Sequence, residues 1–450
     1  MLADTYVITE RTIKDPPVYF FKKLKFLGPG FILSASIVGS GELIATTTLG
    51  ARAGFIAFWI IIVSCLVKVA VQLEFGKRAI LTGQTAMRSF NELPGPRPGK
   101  GNWVVWTVFI LITLKIIQIG GILGGTAIVL HMLFPFLPIS VWAFFIAVMS
   151  SAMIYKGYYN VIEKVSLLMI AGFTITTITA VFMLQFTAFS FSWADVLEGL
   201  QLKLPPAVVA IAFGAFGITG VGADEIVAYN YWCIEKGYAA YTGPRNDSPE
   251  WKKRARGWIS VMYLDAILAM LIYTIVTAAF YLLGAAVLHG KSIIPEGNQV
   301  IETLALIYTQ SLGPGAKTIY LVGAFFVLFS SVFASLAAWT RVFPDIFGQM
   351  GWINFFDAQK RKKIVSWLAW IIPIVWAITY LFIKLPVFMI ISGGIVGSVL
   401  LFVIVFAAIH FRNKRMRFLP SGIFYNMIFV ISVLSIIGVG IYGLVQFFSN

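Results

Sequence analysis

Charged side chains are scarce in this 450-residue sequence. Asp, Glu, Lys and Arg make up 12% of it and hydrophobic residues make up 59%, whereas an ordinary globular domain has about 25% charged residues. A chain of this composition has too few charged side chains to cover its apolar surface in water. The scarcity of charge therefore argues against a soluble protein and predicts one whose main solvent is lipid.

Cysteine and histidine are rare as well, at two and three residues. Cys65 and Cys233 lie in or beside apolar segments, so no disulfide framework is expected. The histidines are scattered, and neither an HExxH nor a CxxC pattern occurs, which gives no support to a zinc site. We find neither a nucleophile with a matching base nor a metal cluster, so the sequence predicts no enzyme activity and no cofactor.

The sequence also lacks the runs of about ten residues with alternating polarity that transmembrane β-strands require. Apolar runs of about 20 residues recur instead, which is the length of an α-helix that crosses a bilayer. They predict an all-α polytopic membrane protein with about 11 transmembrane helices in a single domain, 26–450. A cytoplasmic tail, 1–25, precedes it and lacks the apolar core of a cleavable signal peptide. The predicted spans, numbered 1 to 11, are 26–49, 54–73, 103–133, 137–155, 161–187, 206–234, 258–288, 316–344, 364–383, 386–409 and 421–447.

The formal net charge of +15 is distributed unevenly along the chain. Of the 34 Lys and Arg residues, 26 fall in the N-terminal tail or in the loops after spans 2, 4, 6, 8 and 10. Loops rich in Lys and Arg stay in the cytoplasm. The pattern predicts an integral membrane protein with a cytoplasmic N-terminus and an external C-terminus, and it argues against a nucleic-acid partner. We expect the membrane to be the bacterial inner (plasma) membrane.

Two glycine-containing polar stretches interrupt spans 1 and 6. Unpaired backbone groups in hydrocarbon cost several kcal/mol each, so a helix breaks there only where protein or a water-filled cavity surrounds it. Paired interruptions in the two halves of a chain are typical of the substrate site of a secondary transporter. The stretches are Gly39-Ser40-Gly41-Glu42 and Thr219-Gly220-Val221-Gly222-Ala223-Asp224-Glu225.

The positions of the two interruptions predict an internal repeat. Spans 1–5 and 6–10 form two repeats of five, about 26–190 and 206–412, and the last span is an accessory helix at about 421–447. Because five is an odd number, the second repeat is inverted relative to the first. Spans 1 and 6 are then antiparallel neighbours with both breaks near the midplane.

We predict that substrate contacts come from both breaks and that nearby carboxylates carry a coupling ion. An acidic side chain at the start of a half-helix also caps its N–H groups, which is the alternative role for each carboxylate. Lys115 needs a buried partner, either Asp265 or a span 6 carboxylate, and Lys68 is expected to extend to the inner interface. The predicted substrate-binding residues are Gly39, Ser40, Gly41, Glu42, Thr219, Gly220, Gly222, Asp224 and Glu225. The predicted coupling or pathway residues are Glu42, Asp224, Lys115 and Asp265, and the candidate metal ligands are Glu42 and Asp224.

Span 1 contains Gly28-Pro29-Gly30-Phe31, then Gly39-Ser40-Gly41-Glu42, and then Gly50-Ala51-Arg52-Ala53-Gly54-Phe55. Together with Gly125-Thr126-Ala127-Ile128 in span 3, this order of motifs resembles the Nramp divalent-metal transporters. The resemblance covers the full length in span count, orientation and the positions of both breaks. It implies the five-plus-five inverted repeat of the leucine transporter, and a transporter of small ions.

The metal-ligand motifs of that family are not reproduced. The family has DPGN where this sequence has Gly39-Ser40-Gly41-Glu42, and its MPH motif aligns with Gly222-Ala223-Asp224. A thioether ligand selects soft transition metals, so its absence favours a hard divalent cation such as Mg²⁺ over Mn²⁺ or Fe²⁺. Restoring both ligands with Gly39→Asp and Gly222→Met is predicted to raise Mn²⁺ binding.

A small anion such as bicarbonate is the alternative cargo. It would bind to N–H groups at the half-helix N-termini, with help from Lys115. For either cargo the predicted mechanism is secondary transport by alternating access, because broken helices in one chain suit it better than an open channel. The predicted partners are a small inorganic ion, H⁺ or Na⁺ as a candidate coupling ion, and the lipid bilayer.

Overall fold

The computed structural model describes residues 5–155, 159–295, 300–313, 315–416 and 418–449, and every regular element in these ranges is helical. Eight helices in the described part are long and apolar enough to cross a membrane. They correspond to predicted spans 2, 3 and 6 to 11, which confirms the all-α membrane fold. Their bounds are Phe58–Thr82, Trp103–Leu133, Pro206–Glu235, Pro249–Lys291, Ala316–Gln349, Ala358–Ile383, Pro386–Met416 and Ile423–Val445.

The other three predicted spans are helical too. Span 1 covers 29–53, span 4 is Ile139–Ile154 and span 5 is Tyr159–Leu184. Shorter helices lie between the spans, at Phe20–Leu24, Ala86–Asn91, Trp193–Glu198, Tyr238–Thr242 and Val300–Leu312.

Span 6 is broken where the sequence predicted a break. Its first half, Val209–Ile218, ends at an extended Thr219, and its second half, Ala223–Glu235, begins after Gly222. Gly220 has a φ of 64°, and a Cβ at this position would lie 2.8 Å from Cys65 Cα in span 2. Glycine is therefore needed at position 220 both for the left-handed backbone and for the close approach of span 2.

Span 1 stays helical through the stretch where we expected a break. An α-helix, Pro29–Ile37, continues as a π-helix, Val38–Thr46, and ends as an α-helix, Thr47–Ala53. The i→i+5 bonds of a π-helix interrupt the α-helical pattern while keeping the backbone groups paired. Because free backbone groups are costly in an apolar interior, the widened helix is a stable alternative to an open break. The interruption of span 1 is thus a change of helix type.

Helix packing agrees with a five-plus-five inverted repeat. Span 5 packs against spans 1 and 8, and span 10 packs against spans 6 and 3, which are the equivalent pairs when the repeats are exchanged. Spans 2 and 7, 3 and 8, and 4 and 9 also pack in pairs. This arrangement brings the π-helix of span 1 to the break of span 6, where the hydroxyl oxygens of Thr46 and Thr219 are 3.4 Å apart.

The N-terminal tail and the Lys- and Arg-rich loops meet at one end of the bundle, which we call the basic face. The Tyr6 hydroxyl donates to Glu235 at the end of span 6 (2.7 Å), and its ring lies 5.4 Å from that of Phe355 after span 8. The Arg245 guanidinium, after span 6, stacks 3.8 Å from the ring of Phe418 after span 10. That the basic loops share one face is consistent with the charge pattern. The cytoplasmic N-terminus and external C-terminus stay predictions.

Candidate functional site

A small cavity lies beside the break of span 6, where spans 3, 6 and 8 meet. It has room for roughly one water molecule, and most of the side chains around it are polar. Polar side chains inside a membrane bundle are costly and mark functional positions. The lining residues are Lys115, Gln118, Ile119, Ile218, Gly222, Asp224, Glu225 and Ser335.

Lys115 and Asp224 form an ion pair in this cavity. Both side chains are largely buried, with exposed fractions of 3% and 12%. Lys115 lies at the junction of two helical stretches of span 3, Trp103–Leu114 and Ile116–Leu133. Of the two partners that the sequence left open for Lys115, the structure selects the span 6 carboxylate. The pair neutralises two of the three charges at the cavity.

Glu225 joins span 6 to span 1. Its Oε2 accepts a hydrogen bond from the Gly222 N–H (2.6 Å), and its Oε1 accepts one from the Ser36 hydroxyl (2.7 Å). Glu225 thus caps the second half of span 6, as the alternative reading of the carboxylates anticipated, while also lining the cavity. Glu225 is thus both a helix cap and a cavity-lining residue, and its role in substrate binding stays a prediction.

Three side chains at the site did not appear among the sequence-predicted residues. Gln118 and Ser335 line the cavity, and Ser36 binds Glu225. The Oε1 atom of Gln118 is buried without a hydrogen-bond partner among the described residues, so it is a free acceptor facing the cavity. Its spacing from Lys115 was the available signal, because residues three apart share one face of a helix.

Gly39 faces span 8. A Cβ at this position would collide with the Val327 carbonyl oxygen and the Ser331 hydroxyl oxygen. Ser331 also holds span 8 against span 1 by donating to the Ser36 carbonyl (2.5 Å). An aspartate has no room here in this conformation, so the expectation that Gly39→Asp would restore a metal ligand loses its basis. The side chains of Ser40, Gly41 and Glu42 lie outside the described part of the structure.

Lys68 is completely buried, and the expectation that it extends to the interface is wrong. Its Nζ donates to the carbonyl oxygens of Phe216 and Thr219, the latter at 2.6 Å, at the end of the first half of span 6. A cation at a helix C-terminus satisfies unpaired carbonyls and suits the helix dipole. Lys68 therefore stabilises the break that the cavity is built on.

We expect Lys68→Met to destabilise the protein by about 1.5–3 kcal/mol, because a buried, charge-assisted hydrogen bond is lost. Ser64 still donates to the Thr219 carbonyl (2.8 Å), which keeps this acceptor paired. Thermal unfolding in detergent measures the effect. Lys25→Met, which removes the same charge from an exposed position in the tail, is the control and should leave the melting temperature unchanged. Equal melting temperatures for both variants would contradict the capping role.

Asp265 does not line the cavity, although the sequence placed it in the coupling pathway. Its two oxygens accept hydrogen bonds from the N–H groups of Gly28 (2.8 Å) and Gly30 (2.6 Å), and the Tyr229 hydroxyl donates to it at 3.3 Å. Asp265 thus anchors the start of span 1 to span 7. Its coupling role stays a prediction.

The donor set at the cavity consists of oxygen atoms and one ammonium group. Two carboxylates, an amide oxygen and a hydroxyl are the ligand types that hard cations prefer. No group of three or more His, Cys, Asp or Glu side chains that could hold a metal ion occurs among the residues that the structure describes. The described side chains that could hold a cation at the cavity are therefore hard oxygen ligands, with no sulfur or imidazole donor among them.

Comparisons with known sequences identify the relatives of this chain. The family described as "Natural resistance-associated macrophage protein-like" matches residues 30–446. An uncharacterized protein of Pasteurella multocida (strain Pm70) is 24% identical over 354 residues, 75% of this chain and 73% of that protein. A "Divalent metal cation transporter MntH" of Caldanaerobacter subterraneus subsp. tengcongensis is 25% identical over 292 residues, 64% of this chain and 65% of that protein.

Solved structures share the fold. A mutant of the Eremococcus coleocola manganese transporter has a TM-score of 0.63 at 15% identity, covering 98% of this chain and 99% of that chain. Mhp1, a nucleobase-cation-symport-1 family transporter, has a TM-score of 0.53 at 12% identity, covering 93% and 92%. The TM-scores establish a common fold, but at identities this low they say nothing about the chemistry of the site. That chemistry must be argued from the side chains of this chain.

Proposed function

We propose that this protein, which belongs to the natural resistance-associated macrophage protein (Nramp) family, is a secondary transporter of a hard divalent cation such as Mg²⁺. The observation that carries the proposal is the pair of carboxylates, Asp224 and Glu225, at the edge of a cavity lined by oxygen donors. Relatives named divalent metal cation transporters support a metal ion as cargo. The proposed role is transport and not catalysis.

The broken span 6 supports alternating access. Its two halves end at the cavity, and each is held by a different neighbour, the first by Lys68 of span 2 and the second by Ser36 of span 1. A rearrangement of span 1 against span 6 would change the access to Asp224 and Glu225 together. Discontinuous helices of this kind are common at transporter substrate sites.

Lys115 acts as a tethered cation in this proposal. Its ammonium group forms an ion pair with the Asp224 carboxylate. A divalent cation must displace it or share the carboxylate with it, and the displaced ammonium then repels further cations. Cargo binding is therefore expected to be weak, which favours release at the opposite side.

A small anion such as bicarbonate is the second candidate cargo, and the observation in its favour is the ammonium group of Lys115 at the cavity. Against it, the start of the second half of span 6, where an anion would bind, already holds the Glu225 carboxylate. An anion would have to replace Glu225 while Asp224 stays close by. The formal net charge of Lys115, Asp224 and Glu225 is −1, which favours the cation.

We expect Asp224→Asn to reduce the initial rate of Mg²⁺ uptake into proteoliposomes at least tenfold, because the mutation removes the carboxylate that exchanges between Lys115 and the cargo. Asp15→Asn, at an exposed position in the tail, is the matched control and should transport at the parental rate. Parallel uptake of Mn²⁺ and of labelled bicarbonate separates the cargo classes. Bicarbonate uptake without Mg²⁺ uptake by the parent protein would reject the proposal.

The coupling ion is tested in the same vesicles. An imposed H⁺ or Na⁺ gradient should accelerate uptake if that ion is co-transported. If neither gradient changes the rate, the cargo moves down its own electrochemical gradient.

A further inference from the structure

A second, larger cavity lies at the basic face, between the ends of spans 2 and 10 and the loop that follows span 6. Its volume is about 450 Å³. It shares no lining residue with the small cavity beside the break of span 6, and the proposed function does not use it. The residues that line it are Glu74, Arg78, Leu81, Thr82, Arg245, Phe411, Lys414, Arg415 and Phe418.

The cavity is electropositive. Four cationic side chains and one carboxylate, Glu74, line it. The Glu74 carboxylate is already engaged, because Arg415 (3.0 Å), Lys77 (2.8 Å) and the Tyr425 hydroxyl (2.8 Å) all donate to its Oε1. It therefore cannot neutralise the other cations of the cavity.

Two further carboxylates lie at the rim. Glu92 accepts from Arg78 (2.7 Å) and Asp247 accepts from Arg245 (2.8 Å), and both carboxylates are at least 40% exposed. Together, these two carboxylates, Glu74 and five basic side chains (the four that line the cavity and Lys77) have a formal net charge of +2. The exposed ion pairs are also the weak ones, since water screens them.

Aromatic rings hold the two guanidinium groups in place. The Arg245 Cζ lies 3.8 Å from the centre of the Phe418 ring, and the Arg78 Cζ lies 5.3 Å from the centre of the Phe411 ring. Nε and Nη2 of Arg245 already donate to Asp247, and those of Arg78 donate to Ser89, Gln84 and Glu92. The Nη1 group of each arginine donates to no described residue, so it is available to an oxyanion. Orientation by aromatic rings distinguishes this cavity from a solvated basic loop, whose side chains need no fixed direction.

We propose that the basic cavity binds the phosphate group of an anionic ligand, either a phospholipid head group or a soluble phosphate compound. Basic pockets between transmembrane helices bind acidic lipid head groups in this way. The neighbouring surface of span 11 offers a path for acyl chains, because Ile423, Phe424 and Met427 are 79%, 71% and 52% exposed. A bound head group would link spans 2 and 10 to the loop after span 6.

The test compares two double variants in lipid nanodiscs. Arg245→Gln with Lys414→Gln removes two cations of the cavity, and Lys253→Gln with Arg256→Gln removes the same charges from exposed positions of the basic face. Native mass spectrometry counts the lipids retained from mixtures of phosphatidylglycerol and phosphatidylcholine. We expect the parent and the control to retain phosphatidylglycerol, and the cavity variant to bind it on the order of 30-fold more weakly, at about 5.5-fold per cation.

A soluble arm separates the two sources of phosphate. Inorganic phosphate and glycerol 3-phosphate are added to the detergent-solubilised proteins, and the melting temperature is measured. Stabilisation of the parent and the control, but not of the cavity variant, by these anions without a preference for phosphatidylglycerol assigns the site to a soluble compound. Retention of phosphatidylglycerol that is equal in all three proteins, with no stabilisation by either anion, would overturn the proposal.

Discussion

Gly39→Ala should lower the melting temperature of the protein in detergent, whereas Gly172→Ala should raise it. The added Cβ at position 39 meets the Val327 carbonyl oxygen and the Ser331 hydroxyl, and one of these contacts is with backbone. A Cβ at Gly172 in span 5 meets nothing within 4 Å. Overpacking costs about 1–3 kcal/mol, while glycine to alanine in an open helix position gains up to about 1 kcal/mol.

Both mutations replace glycine by alanine, so a difference in the sign of the melting-temperature shift reports the surroundings of each position. Equal shifts in melting temperature would show that span 8 does not press against Gly39.

By the same geometry, Gly39→Asp with Gly222→Met is now expected to fold poorly and to gain no Mn²⁺ binding. Gly222→Met alone places its side chain toward the carboxylates, where a Cβ would lie 2.9 Å from Glu225 Oε2.

The interruptions of spans 1 and 6 show how far the sequence determined the fold. Both contain glycine and carboxylate inside an apolar run, so both were predicted to break. Only span 6 opens, because Gly220 can take a positive φ and because Lys68 and Ser64 pair the carbonyl groups that the break sets free. In span 1 the backbone groups stay paired because the chain forms a π-helix instead of a break. Which solution a segment adopts depends on neighbours from distant parts of the chain, and local sequence does not specify them.

The charged residues of the site were predicted from the sequence, and the polar residues that it missed are uncharged. Asp224 and Lys115 were predicted from the cost of burying charge, and the structure pairs them. Ser335 and Ser36 are uncharged residues on helices, so nothing in the local sequence separates them from ordinary packing residues. Gln118 could be found only through its spacing from Lys115. Lys68 was assigned to the interface because a long side chain near a helix end commonly reaches water. Its actual partners are carbonyl groups of span 6, 148 and 151 positions away in the chain.

Removal of the tethered ammonium should convert the site into a stronger cation site. Breaking a buried ion pair by deleting one partner costs about 3–5 kcal/mol, because the remaining charge has lost its compensation. Lys115→Met leaves the buried Asp224 carboxylate without its counter-charge, so the melting temperature without divalent cations should fall. Mg²⁺ can then take the position of the ammonium without competition. The Mg²⁺-dependent rise in melting temperature should be larger in this variant than in the parent, since binding to the folded state stabilises it in proportion to ln(1 + [L]/Kd).

The double variant Lys115→Met with Asp224→Asn completes the cycle. The charges of Lys115 and Asp224 are gone, so the melting temperature without Mg²⁺ should recover toward that of the parent. The response to Mg²⁺ should fall well below that of Lys115→Met, because Glu225 is the one carboxylate left among the described residues that line the cavity. A cation transporter requires this whole pattern, because the carboxylate and not the ammonium is the group that binds cargo. If Lys115→Met instead shows no increased response to Mg²⁺ and loses a bicarbonate-dependent stabilisation that the parent possesses, Lys115 is itself the cargo ligand. The anion would then be the substrate, and the position of Glu225 at the start of the half-helix would have to change during transport.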